Sequence, residues 1–139
     1  MTVANVPVER LERIERAMAQ VPYAQLLGIH VERLSPGEAK LSLPIRHELM
    51  QNHGVVHGGA IASIIDSATA FAILTLLEPD ERVTTVDLTV NYLRPATKGN
   101  LFATARVLRQ GRRLIALSAE ATDDDETLLA TALSTYIKL

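Results

Sequence analysis

The chain has 139 residues, a formal net charge of −2, 47% hydrophobic residues, four histidines, and neither cysteine nor tryptophan. One domain of this size buries roughly two-thirds of the surface its unfolded chain exposes, which excludes a disordered chain and a stapled mini-protein. Without cysteine there is no disulfide framework, iron–sulfur cluster, thiolate zinc or cysteine nucleophile. Aromatic content of 4% and a negative net charge argue against a nucleic-acid binder.

No basic region followed by an apolar run opens the chain, so no secretory signal is read and a cytoplasmic protein is expected. Residues 7–20 start at Pro7 and alternate Glu9, Arg10, Glu12, Arg13, Glu15 and Arg16, with favourable i,i+4 pairs and a narrow stripe of Leu11, Ile14 and Met18. They read as a surface helix whose charges are solvated, ended by Pro22. Residues 29–45 alternate around the turn signal Ser35-Pro36-Gly37, with Ala39, Leu41, Leu43 and Ile45 facing one way and Lys40 and Ser42 the other. Residues 46–57 have no clean period and read as a polar loop.

The stretch Gly58 to Leu77 is nearly all small or apolar, with Asp66 its only charge. Its length approaches a membrane span, but Asp66 lies in its middle and Ser63, Ser67, Thr69 and Thr75 dilute it. A buried helix is expected, with Ile61, Ile64, Ile65, Ala68 and Ala72 at helical spacing and Gly59, Ala62, Asp66, Thr69 and Ala70 on the adjoining face. A β-meander follows. Val86, Leu88, Val90 and Tyr92 alternate with Asp87, Thr89, Asn91 and Leu93 until Arg94-Pro95 stops the strand. Residues 101–109 and 113–122 form two strands joined near Gly111, Asp123 to Glu126 a solvated turn, and residues 128–138 the last strand. The class is α+β: an antiparallel sheet around one unusually apolar helix.

Charge is uneven along the meander. Leu88 to Ala119 contains no acid but holds Arg94, Lys98, Arg106, Arg109, Arg112 and Arg113. Such a local field suits a small polyanion such as a nucleotide phosphate.

The chemistry concentrates in Gln51-Asn52-His53-Gly54-Val55-Val56-His57-Gly58-Gly59, followed by Asp66. Two glycines at a helix start leave backbone N–H groups approachable at the positive end of the macrodipole, where they can donate to a carbonyl oxygen that gains charge as an acyl group is attacked. A lone carboxylate on an apolar helix makes a candidate base. Gly58 and Asp66 stand eight residues apart, about 12 Å along a helix, too far to reach one carbonyl from within one chain. Two antiparallel helices across a two-fold axis would bring them together, so a two-chain site is expected.

Gln51…Gly54…His57-Gly58-Gly59, then Asp66, then Thr85-Val86-Asp87-Leu88…Tyr92-Leu93-Arg94-Pro95 resembles the hotdog-fold acyl-CoA thioesterases of the phenylacetate-pathway (PaaI) type, from about residue 24 to the C-terminus. The resemblance implies an N-terminal helical extension at 1–23 and a hotdog domain at 24–139. It implies an acyl-CoA substrate, no cofactor, no metal, no membrane or nucleic-acid partner, and a homo-oligomer: a dimer or dimer of dimers with sites at the subunit interface. Asp66 would be the nucleophile or the general base that activates water. Gly58 N–H would bind the carbonyl oxygen, and His57 would orient the thioester. Gln51 or Asn52 would hold water or substrate, because the family pairs Asn here with a helix Asp and Gln with a helix Glu. Thr85 matches a water-holding hydroxyl, although strand alternation puts it opposite Val86 and Leu88. Gly59, Arg94, Arg112 and Arg113 complete the expected substrate contacts.

Competing readings are a non-catalytic acyl-CoA binder on the same fold and a hotdog hydratase, against which the His-Gly-Gly start argues. Zinc at His47, His53 and His57 is disfavoured by Gly54 and by the lack of a Glu after His53. Ser63 and Ser67 lack a nucleophile-elbow context.

Overall fold

The turn at Ser35-Pro36-Gly37 and the apolar alternation on its far side fold into a hairpin, β2 (His30–Ser35) and β3 (Glu38–Pro44), in the computed structural model, which describes all 139 residues. Ahead of it come β1 (Thr2–Val3), α1 (Val8–Gln20) and α2 (Pro22–Leu27). Beyond it come a 3-10 turn at His47–Leu49, α3 (Gly58–Leu74), β4 (Val83–Tyr92), β5 (Asn100–Gln110), β6 (Leu114–Thr122) and β7 (Leu128–Lys138). The strands form one seven-stranded sheet in the order β1-β2-β3-β5-β6-β7-β4, antiparallel except for β1 against β2.

Helix α3 is apolar nearly all round because it is buried on most sides. Ile61, Ile64, Ile65, Ala68 and Ala72 face the sheet as expected, all at 3% exposure or less. They meet the inner rows Ala39, Leu41 and Leu43 of β3, Leu101, Ala103 and Ala105 of β5, and Ile115 and Leu117 of β6. The helix lies chiefly across β3, β5 and β6, so the inner face of β4, the edge strand, is only half covered. No helix is long and apolar enough to cross a membrane.

Three local expectations change. Pro22 ends α1 as predicted, but it also opens α2, because proline is well suited to the first turn of a helix; the expected boundary at 23/24 falls inside that helix. Residues 46–57 are tied down rather than loose: Leu49 and Val56 are buried, Val56 N–H donates to the Ala96 carbonyl at 2.8 Å, and His57 N–H donates to the Leu49 carbonyl at 2.8 Å. The charge run of α1 is not wholly solvated either. Arg10 donates to the Thr75 carbonyl at 3.1 Å and pairs with Glu78 at 2.6 Å, while Arg13 donates to the Glu78 and Glu81 carbonyls at 2.9 and 2.8 Å. These cations occupy the negative end of α3 and satisfy carbonyls there and in the connection to β4.

Glu81 closes the same corner through Lys138, at 2.7 Å. Its carboxyl is held below the ordinary value by the Lys138 hydrogen bond, then by the backbone N–H of Glu78. A depressed folded-state value adds stability that is complete above the unfolded value of 4.5 and is lost as pH falls through the folded one. Glu81→Gln is therefore expected to lower the urea midpoint at neutral pH and to flatten its decline on the acid side of 4.5. An identical acid limb in wild type and variant would show that this pair adds nothing.

Candidate active site

The N-terminus of α3 follows from His57-Gly58-Gly59. His57 is the N-cap, extended at φ −62 and ψ 134, and its ring Nδ1 accepts the Gly59 N–H at 2.8 Å. A Cβ on Gly59 would lie 2.9 Å from that nitrogen, so the folded-back cap requires glycine. With Nδ1 accepting, the ring proton of neutral His57 sits on Nε2, and the ring is exposed. The Gly58 N–H, by contrast, has no acceptor within the chain. It lines a cavity of about 300 Å³ with Gln51, Val55, Val56, Ile61, Tyr92, Leu93, Arg94 and Pro95. Tyr92 donates to the Gly58 carbonyl at 2.9 Å, and Arg94 donates to the Leu128 carbonyl at 2.9 Å. Gln51 is thus the amide that shares this cavity with Gly58; Asn52 is exposed and outside its lining.

Two turns further on, Asp66 lies half-buried on α3, as do Ala62, Ser63 and Ala70. Thr69, on the same adjoining face by spacing, is fully buried. Its hydroxyl reaches back to the Asp66 carbonyl at 2.7 Å and lies 2.9 Å from the Tyr136 hydroxyl. The Tyr136 hydroxyl is 3.4 Å from both Asp66 Oδ1 and the Asp66 carbonyl, and Tyr136 stands directly opposite Thr85 across the β4–β7 pair. Burial, foremost, raises the phenol of Tyr136 above its ordinary value, and the Asp66 charge adds to the rise. Tyr136 is a site neighbour that the sequence reading missed; it is the one large residue in an inward row otherwise made of Ala130, Ala132 and Ser134, which was the one available signal.

Thr85 requires a correction. Strict alternation sets it against Leu88, but β4 carries a bulge: Thr85 pairs with Tyr136 and Asp87 with Thr135, leaving Val86 without a partner and 55% exposed. One extra residue inverts the phase. Thr85 therefore shares the inner face with Leu88, whose partner Ser134 is buried two residues from Tyr136, and it is Val86 that leaves the row.

The basic residues separate. Arg106 is paired with Glu38 at 3.0 Å. Arg109, Arg112 and Arg113 surround a second cavity of about 500 Å³ with Leu114, Ala116 and Thr135. Ala116 and Thr135 alternate with the buried Ile115, Leu117, Ser134 and Tyr136, so this cavity opens on the outer face of the sheet. Arg113 is level with Lys138 and Tyr92 with Ala130, roughly 26 Å apart along β7. One chain does not bring Arg94 together with Arg112 and Arg113, nor Gly58 together with Asp66. No group of three or more histidine and carboxylate side chains gathers anywhere in the fold.

A seven-stranded, mostly antiparallel sheet wrapped on an apolar helix, with an unengaged amide at the helix start and a carboxylate two turns on, defines a class. The chain belongs to the thioesterase superfamily, whose profile matches residues 53–130. It is a thioester hydrolase with the hotdog fold, of PaaI-like architecture. A protein of Saccharolobus solfataricus named as an esterase is 32% identical over 130 residues, covering 94% of this chain and 91% of its own. The medium/long-chain acyl-CoA thioesterase YigI of Escherichia coli is 28% identical over 138 residues, covering 88% and 89%. A thioesterase family protein of Silicibacter pomeroyi superposes with a TM-score of 0.88 at 31% identity, covering 94% of this chain and 98% of its own. The PaaI protein of the Escherichia coli phenylacetic acid degradation operon gives 0.87 at 22% identity, covering 94% and 93%, a likeness of fold.

Proposed function

We propose that the protein hydrolyses acyl-CoA thioesters to a carboxylic acid and free CoA, at a site completed by a second copy of the chain. The observation that carries this reading is the unengaged Gly58 N–H in a cavity with Gln51 and Arg94, on the same helix as Asp66. The edge strand β4 supports the second copy. Its free side presents unpaired backbone groups, and its inner face is only half covered, at Leu88 and Val90, between Tyr92, which touches Gly58, and Thr85, which faces Tyr136. Antiparallel pairing of two β4 strands about a two-fold axis sets the Thr85 end of one against the Tyr92 end of the other. Asp66 then faces Gly58 of the second copy.

In that arrangement the thioester carbonyl accepts from Gly58 N–H, at the positive end of α3. Asp66 takes a proton from a water held beside the Thr85 hydroxyl, and the water oxygen bonds to the carbonyl carbon. The tetrahedral intermediate collapses, the C–S bond breaks, and the CoA sulfur leaves with the proton that Asp66 carried. Gln51 steadies the substrate in the cavity, His57 presents Nε2–H at its rim, and Arg94 meets the anionic carrier. Arg112 and Arg113, on the outer face, reach CoA phosphates only where a further pair of subunits stacks there.

The test is a panel of CoA esters with aryl, short, medium and long acyl groups, read for free thiol and for bound ligand. Release of thiol from at least one class is expected. Binding without turnover across the panel would replace this reading with that of an acyl-CoA binder.

A further inference from the structure

The geometry points to Tyr136 as a positioning residue that holds the Asp66 carboxylate in place beside Thr85, the residue that faces Tyr136 across the β4–β7 pair. This rests on the hydrolase reading of the same site. Tyr136 is 4% exposed, and its ring fills the inner row of β7 between helix and sheet. A phenylalanine would fill that row equally well, so packing does not require the hydroxyl. Nor does satisfaction of Thr69, which already has the Asp66 carbonyl at 2.7 Å. What the hydroxyl adds is a connection, 2.9 Å to Thr69 Oγ1 and 3.4 Å to Asp66 Oδ1, made from the residue that faces Thr85 across the β4–β7 pair.

Thr69 and Tyr136 have one hydroxyl proton each. When Thr69 donates to the Asp66 carbonyl, Tyr136 donates to Thr69. When Thr69 turns to the phenol, the Tyr136 proton is released to the carboxylate. The carboxylate thus gains a donor from a buried side chain fixed in the sheet, while Thr85 stands opposite that side chain on the edge strand. The bulge at Val86 is what puts Thr85 within its reach. A water held by Thr85 and deprotonated by Asp66 depends on both groups keeping one relative position, and a displacement of about 1 Å is enough to cost a large factor in rate.

The experiment is a double-mutant cycle of Tyr136→Phe and Thr85→Val on the best CoA ester of the panel, joined to NMR of the wild type and Asp66→Asn with ¹³C-labelled tyrosine rings. Tyr136→Phe is expected to keep the fold by circular dichroism and to leave KM within about twofold while lowering kcat about tenfold. The two losses should not multiply in the double variant, because each disturbs the same relative position. A kcat within twofold of wild type in a folded Tyr136→Phe, or losses that multiply, overturns the proposal. In the spectra, the Tyr136 ¹³Cζ resonance should move between wild type and Asp66→Asn, since Asp66 Oδ1 lies 3.4 Å from this phenol. A resonance that does not move overturns the contact even where Tyr136→Phe fails to fold. A wild type that hydrolyses no CoA ester removes the proposed function and the positioning role with it, and the spectra distinguish that outcome from loss of the contact.

Discussion

Asp66→Asn is expected to lower thiol release about a thousandfold, within the range general-base catalysis contributes, while the thermal midpoint stays near that of wild type. The substitution keeps the size of the side chain and leaves an oxygen for Tyr136, so the surroundings of Asp66, buried Thr69 included, are not disturbed. What is lost is the ability to accept a proton. Steady-state kinetics with a thiol reagent measures the effect, and a kcat within tenfold of wild type would move the base elsewhere. Ser63 and Ser67 are no substitute, because neither hydroxyl hydrogen-bonds a carboxylate or an imidazole; Ser63 is engaged with the Gly59 carbonyl at 2.7 Å.

Gly58→Pro is expected to reduce kcat by about a hundredfold or more, the effect of removing one donor to a developing oxyanion, with a folded protein remaining. Gly58 is the first residue of α3, where proline is well tolerated because its missing N–H has no helical partner. The residue before it, His57, is already in the extended region that proline demands. Gly58→Ala is the control. Either side chain would bring a Cβ to 3.2 Å from the exposed ring of Tyr92, but alanine keeps the N–H. A large loss in the proline variant with a small one in the alanine variant assigns the effect to the amide. Equal losses would assign it to the displaced Tyr92 ring.

Much of this was legible in the sequence because it rests on local periodicity. The apolar helix, its start at Gly58, the hairpin at Ser35-Pro36-Gly37 and the succession β5-β6-β7 follow from spacing and turn chemistry within a few residues, whereas the expected meander does not include β4, which crosses to the edge beside β7 instead of pairing with β5. Asp66 stood out because a single charge in a long apolar run is costly unless it has a purpose or a partner. The misses were of the opposite kind. Arg10 and Arg13 looked like solvated charges because their carbonyl acceptors lie more than 60 residues away. Tyr136 looked like one more strand residue because Asp66 is 70 positions distant. Thr85 was set on the wrong face because a bulge leaves no mark in an alternating pattern. The split of the basic residues between two faces of the sheet was equally hidden, since charge along a sequence carries no sidedness until the strands are registered.

The unpaired Val86 has a bearing on how related chains are compared. A single-residue deletion at Val86 would leave the strand regular and the sheet intact, with position 85 and Leu88 then two residues apart and still together on the carboxylate side. In an alignment that event is scored as one gap in a variable edge strand. Chemically it leaves the site residue in place, whereas a relative of equal length whose strand pairs regularly through this point turns position 85 to the far side, so relatives should be sorted by strand phase before identity is counted.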